Sequence, residues 1–391
     1  MPDRTIELEA IPWERLWHAY GRVADTPVHL RALLTEDTQA WQSTFSHLHS
    51  AILHQGTPCL ATAPCVAVLI DWLLAGYFDP VVEHQIRVLR FLLDVTEVPL
   101  IWRDDLLQLW ELAMIDVDLI PDDGYDEVKE HLFGEKASHE ALYARSVLGC
   151  LDVMPGVQMA MERSLDGDDP HVRVIASSGL ANIVRLPDGL QYREGAVARI
   201  RDCAETAIDS NERAIQVLAL GTIGMEVSDY LDDPAVPVRL CAALAPNLAD
   251  HERATGVLIE SMERHGAEID GWFKYRPPQF AGWPRFAVVA ALLERVSDFE
   301  RLAGVAIVIA RISHANHVDH DWGPLLCAAF IEGDGQVRTR SQYRYLDALV
   351  NNESLWNPRL GNAHRWFHQA GLVYDREDCQ RRLAAARDDH V

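Results

Sequence analysis

The chain has 391 residues, of which 49% are hydrophobic and 24% charged. That balance belongs to folded proteins and excludes a disordered chain. The formal net charge of −24 opposes the cationic phosphate contacts that nucleic-acid binding relies on, so general nucleic-acid binding is disfavoured. Apolar runs such as Cys65–Ile70 end at Asp71, well short of the roughly 20 residues of a membrane span.

The N-terminal region carries most of the acidity. Residues 1–135 hold 23 Asp and Glu against 8 Lys and Arg, an excess that favours solubility and attracts a basic partner. Met1–Glu9 has acids and no apolar leader, so a cytoplasmic location is expected. The seven cysteines form no CxxC pair and read as reduced core thiols. Within this region His47, His49, His54 and Gln55 form a first candidate cluster. On a continuous helix His47 and His54 would share a face and His49 would point elsewhere. With no further converging ligand, these groups are expected to brace the turn at Gly56-Thr57-Pro58 rather than hold a metal. Asp104, Asp105, Asp116 and Asp118 mark the acidic surface on which a basic partner would land.

From residue 138 to 265 the apolar residues recur at spacings of three and four, as in Val172–Val184, Ala214–Ile223 and Val238–Leu248, which predicts amphipathic helices. Strand-like alternation is nearly absent. Turns rich in Asp, Gly and Pro punctuate the helices and share a sequel. Asp168-Asp169-Pro170-His171-Val172-Arg173 leads into small and aliphatic residues, as does Asp232-Asp233-Pro234-Ala235-Val236-Pro237-Val238-Arg239. Gly333-Asp334-Gly335-Gln336-Val337-Arg338 is a third copy, and Ser210-Asn211-Glu212-Arg213 a degenerate fourth, 40 residues after Arg173. That step fits helical-hairpin repeats. The aspartates are expected to cap helices, and the arginines to pair with acids of neighbouring turns.

Residues 265–285 break the pattern. Asp270, Trp272, Phe273, Tyr275, Arg276, Phe280, Trp283 and Arg285 interleave aromatics with arginines, the residue types of binding hot spots and of base-stacking surfaces. The alternative is that they plug the core of an irregular repeat. His314, His317 and His320, beside Asp319 and Asp321, read as a polar loop and helix cap. His139-Glu140 and His251-Glu252 are two His-Glu pairs, whereas the di-iron centre of helical-repeat hydroxylases uses four. Trp366 and Phe367, with Arg381 and Arg382, suggest a terminal capping hairpin.

The segments Ile11–Gly21, Thr26–Leu33, His47–Thr57 and Ala61–Pro64 resemble bacterial, actinobacteria-like HEAT-repeat proteins of poorly defined function, a likeness that extends over most of the chain. The resemblance implies an all-α, HEAT-like α-solenoid, a right-handed superhelix of antiparallel helical hairpins. It supplies no reaction. Three blocks are expected within one continuous solenoid: acidic helical repeats at 1–135, regular repeats at 136–265, and an aromatic insertion with capping repeats at 266–391. The expected function is a non-enzymatic protein-binding scaffold or adaptor that needs no metal or cofactor. One version neutralises a basic protein in the manner of an immunity protein or antitoxin. The alternatives are a HEAT-like DNA glycosylase or DNA-damage self-resistance protein, with Asp270 as its acid, and a metal-dependent solenoid enzyme.

Overall fold

The computed structural model describes residues 8–115, 136–274, 276–280 and 282–390. Among them are 18 α-helices and two antiparallel hairpins of two-residue strands. The protein is all-α, and its helices pack as the hairpins from which α-solenoids are built. No helix of the described residues is long and apolar enough to cross a membrane. The chain divides into two compact units, Met1–Thr206 and Ala207–Val391, so the block expected at 136–265 is shared between them.

In the first unit, helix Thr62–Leu74 packs on Lys136–Asp152 and Met154–Ser164, while Val82–Ile101 packs on Pro170–Val184. Asn182 donates to the Thr96 hydroxyl at 2.9 Å inside that second contact. Gly179 shows why small residues recur in these helices: a Cβ there would lie 2.8 Å from Met161 Cε.

The second unit opens with helices Ser210–Thr222 and Val236–Ala243, packed on each other. A two-layer array comes after them. Helices Glu252–His265, Phe299–Ile312, Arg340–Asn351 and Arg376–His390 each pack on the next of the set. Pro284–Arg295, Trp322–Ala329 and Gly361–Gln369 succeed one another in the other layer. Regular stacking therefore runs on through residues that the sequence signature marks as irregular.

The capping expectation holds in atomic detail. The Asp169 carboxylate accepts from the amides of His171 and Val172, at 2.8 and 3.2 Å, and Asp233 accepts from Ala235 at 2.8 Å. Asp209 does the same for Asn211 at 3.0 Å. The Val-Arg arginines also serve their own turns. Arg173 donates to the carbonyls of Gly167 and Asp168, at 2.7 and 2.9 Å, and Arg239 to those of Asp233 and Pro234, at 2.7 and 3.1 Å. Arg213, the arginine of the fourth copy, lies 3.5 Å from Asp233 of the next turn, as its pairing role implies, and Arg295 donates to the Ala243 carbonyl at 2.8 Å. A guanidinium on the first turn of a helix reaches the carbonyls just before it more easily than a neighbouring repeat, so it tightens the entry turn.

Candidate functional site

The histidines of the N-terminal cluster do not share a helix. Helix Thr38–His47 runs into a π-helical turn, Leu48–Ile52, and then into the hairpin Leu53–His54/Thr57–Pro58. Gln55 and Gly56 form its two-residue turn with φ of 52° and 81°. A tight hairpin needs positive φ at both positions, and glutamine reaches it only under strain. The change of backbone direction sends the three rings to three surroundings.

His47 faces inward. Its Nε2 lies 2.8 Å from the Thr26 hydroxyl, and its ring stacks on His29 at 4.2 Å. Burial, reinforced by the neighbouring His29, lowers its pKa to about 4. Unfolded, the same histidine titrates near 6.5, so the unfolded chain binds the extra proton more readily. Stability should therefore fall as pH drops from about 6.5 to about 4. A His47→Gln variant, which keeps a hydrogen bond for Thr26, is expected to flatten that dependence by about 2–3 kcal/mol, as read from urea unfolding across the window.

Among the described residues, His18, Asp25 and His47 bring ligand-type atoms within 4.8 Å of one another. The hydrogen bonds assign them another task. The Tyr20 amide donates to His18 Nδ1 at 3.0 Å, which leaves the ring proton on Nε2, 3.1 Å from Asp25. The lone pair a metal would need is thus absent from that tautomer. The trio ties the hairpin Trp17–His18/Gly21–Arg22 to the start of helix Thr26–Ala32.

His49 and Gln55 line a cavity of about 520 Å³ with Asp94, Glu97, Ile101 and Tyr143. His49 stands 3.7 Å from Asp94. Burial pushes the Asp94 carboxyl up to about 6, and burial with the adjacent Asp94 also raises Glu97. A cation entering here would restore both to their charged forms. His54 lines a different cavity, of about 280 Å³, together with Trp17, Leu60 and Leu142. Thr57 and Tyr143 contribute to the walls of both.

The surface just beyond the acidic cavity carries no distinguishing signature in the sequence. Ile101 ends helix Val82–Ile101 with 74% of its surface exposed. On the next helix, Leu106–Ala113, Leu107 is 75% and Trp110 52% exposed, and Met114 at its C-cap is 79% exposed. The last three sit at i, i+3 and i+7, on one face. Asp104, Asp105 and Glu111, all exposed, border them. The expected acids Asp116 and Asp118 lie outside the described residues.

Of the described residues in 270–285, Phe273, Phe280 and Arg285 turn inward, as the core-plugging alternative expects, and so are not the exposed binding groups of the other reading. Phe273 and Phe280 are buried, with ring centroids 5.7 Å apart. Arg285 is 7% exposed and Asp321 fully buried. The guanidinium donates to Asp321 at 3.2 Å and to His317 Nδ1 at 2.8 Å, and pairs with Asp270. The Ser313 hydroxyl completes Asp321 at 2.6 Å. Burial, then the Arg285 charge, lowers the His317 pKa and keeps that ring a neutral acceptor. Trp272 is half-buried beside His265. Tyr275 lies outside the described residues. Arg276 and Trp283 remain exposed. The physical reason is that burial of Phe273 and Phe280 draws the segment in, and the buried guanidinium is tolerated because Asp270, Asp321 and His317 meet its donors.

The other histidines have local duties. His314 accepts from the Asn316 amide at 3.4 Å and His320 stacks on Phe286. His251 caps its helix by accepting from the Ala254 amide at 3.4 Å, and Glu252 pairs with Arg301. No protein-family model matches the chain, and no curated protein matches it.

Proposed function

We propose that this chain is a non-enzymatic, HEAT-like helical-repeat protein of bacterial type that binds a basic protein partner through its N-terminal unit. The observation that carries this reading is the acid-rimmed apolar ridge of Ile101, Leu107, Trp110 and Met114. Exposed apolar residues on one helical face, edged by carboxylates, are the composition of an interface core with a polar rim. A tryptophan at the centre of such a patch is the residue type that most often dominates binding energy. The carboxylates Asp94 and Glu97 would receive lysine or arginine side chains of the same partner. An immunity or antitoxin-like protein that covers a basic toxin is the specific form that this chemistry suits.

The segment proposed for stacking on nucleic-acid bases gives little support to the glycosylase alternative. Asp270 is held by Arg285, and Phe273 and Phe280 are inside. The test of the main reading is site-specific photo-crosslinking from position 107 in cells of the source organism, with position 283 as control. One basic protein crosslinked from 107 and not from 283 supports it. Crosslinks to acidic proteins or nucleic acid, or none at either position, sink it.

A further inference from the structure

The cavity beside His54 shares only the Thr57 and Tyr143 walls with the acidic cavity of the proposed interface, and its lining specifies a ligand of a different kind. It is walled by the first hairpin (Trp17, His18), by the second hairpin and the turn after it (His54, Pro58, Leu60), and by helix Lys136–Asp152 (Leu142, Tyr143). Its volume of about 280 Å³ exceeds the roughly 150 Å³ in which an apolar cavity accepts benzene. One ring with a substituent therefore fits. No Asp, Glu, Lys or Arg is among its lining residues, and His18 directs its Nε2 proton at Asp25. The cavity therefore offers a charged ligand no counter-ion of fixed charge.

The polar lining comprises His18, His54, Thr57, Cys59, His139, Tyr143 and Ser146, and in two of these a neighbouring group fixes what is left for a ligand. His54 Nδ1 lies 2.6 Å from the Ser50 carbonyl, an acceptor, so the ring carries its proton there and Nε2 is left as an acceptor. Tyr143 accepts the indole N–H of Trp102 at 3.2 Å, which leaves the phenolic proton free to be donated. The site is a half-open, mostly apolar pocket that includes a defined acceptor and a defined donor, the pattern of small-molecule pockets. A hydroxyl on an aromatic ring answers both groups at once.

We propose that this cavity is a binding site for a small, neutral, hydroxylated aromatic molecule of the phenol class. The site stands independently of the protein-binding reading. The probe is p-cresol, titrated by calorimetry into the full chain, with toluene and 4-hydroxybenzoate in parallel. The expected dissociation constant for p-cresol is about 0.1–1 mM, in line with the efficiency limits of small ligands. Toluene should bind about five- to tenfold more weakly for want of the hydrogen bond, and the charged 4-hydroxybenzoate more weakly still. His54→Phe removes the acceptor and should narrow the preference for p-cresol over toluene, the remainder being the hydrogen bond from Tyr143. Leu142→Trp fills the cavity and should abolish binding of both, with thermal unfolding used to confirm that the variant is folded. If Leu142→Trp does not fold, Leu60→Trp fills the same cavity from the other wall. The proposal is overturned by absence of saturable p-cresol binding, by unchanged binding in a folded filled-cavity variant, by a His54→Phe variant that keeps the full wild-type preference for p-cresol over toluene, or by equal affinity for 4-hydroxybenzoate.

Discussion

Alanine in place of Arg285 is expected to cost the Ala207–Val391 unit about 3–5 kcal/mol, the range for stranding a buried charge by removing its partner. The guanidinium serves Asp270, Asp321 and His317 at once. Asp321 has no water to fall back on, since it is fully buried. Its pKa is already raised by burial against the pull of Ser313 and Arg285, and loss of Arg285 raises it further. A carboxyl that holds its proton more tightly when folded than when unfolded favours folding at low pH, and that advantage fades as pH rises through the folded value. The deficit of Arg285→Ala should therefore be smallest in acid and grow toward neutrality, as urea unfolding at several pH values would show. A deficit independent of pH would mean that Asp321 is not the group left stranded. Lysine at 285 should recover only part of the loss, because a single ammonium cannot present the forked donors that reach three acceptors.

The second large effect concerns binding. Replacing Leu107 and Trp110 together by lysine is expected to weaken partner binding by about 2–4 kcal/mol, the scale of hot-spot truncation, with added repulsion from a basic surface. The fold should be unaffected, because both side chains project from the protein. Converting Asp104 and Asp105 to lysine tests the rim separately. Those changes should slow association and reduce its salt dependence more than they speed dissociation. Surface plasmon resonance with the crosslinked partner resolves the two rates. Equal affinity in the Leu107→Lys/Trp110→Lys variant would remove the ridge from the interface.

Much of the fold was legible in the sequence, because caps and periodicity are local. Asp169 and Asp209 cap the helices that their position before apolar runs implies, and Asp233 holds the turn just before the next. Val172–Val184 falls within the helix Pro170–Val184, as its spacing predicts. The β-hairpin at His54 was not legible. A two-residue turn built on Gln55-Gly56 lacks the usual Asn or Asp in its first position, and the helical pattern upstream ran straight into it. Of the candidate site residues, His54 and Gln55 do border cavities. Phe273, Phe280 and Arg285 do not face solvent.

The sequence by itself determined the helices, their breaks and their caps, along with the acidic N-terminal region, because each depends on residues within a turn or two of one another. The tertiary structure alone decided which apolar residues are core and which are surface. Leu107, Trp110 and Met114 have the same three-and-four spacing as a buried stripe. Trp272–Arg285 has the composition of an exposed one. Spacing and composition tell which side chains share a face, but burial depends on whether another helix comes to cover that face. In this protein Phe273, Phe280 and Arg285 are covered, and the ridge after Ile101 is left open.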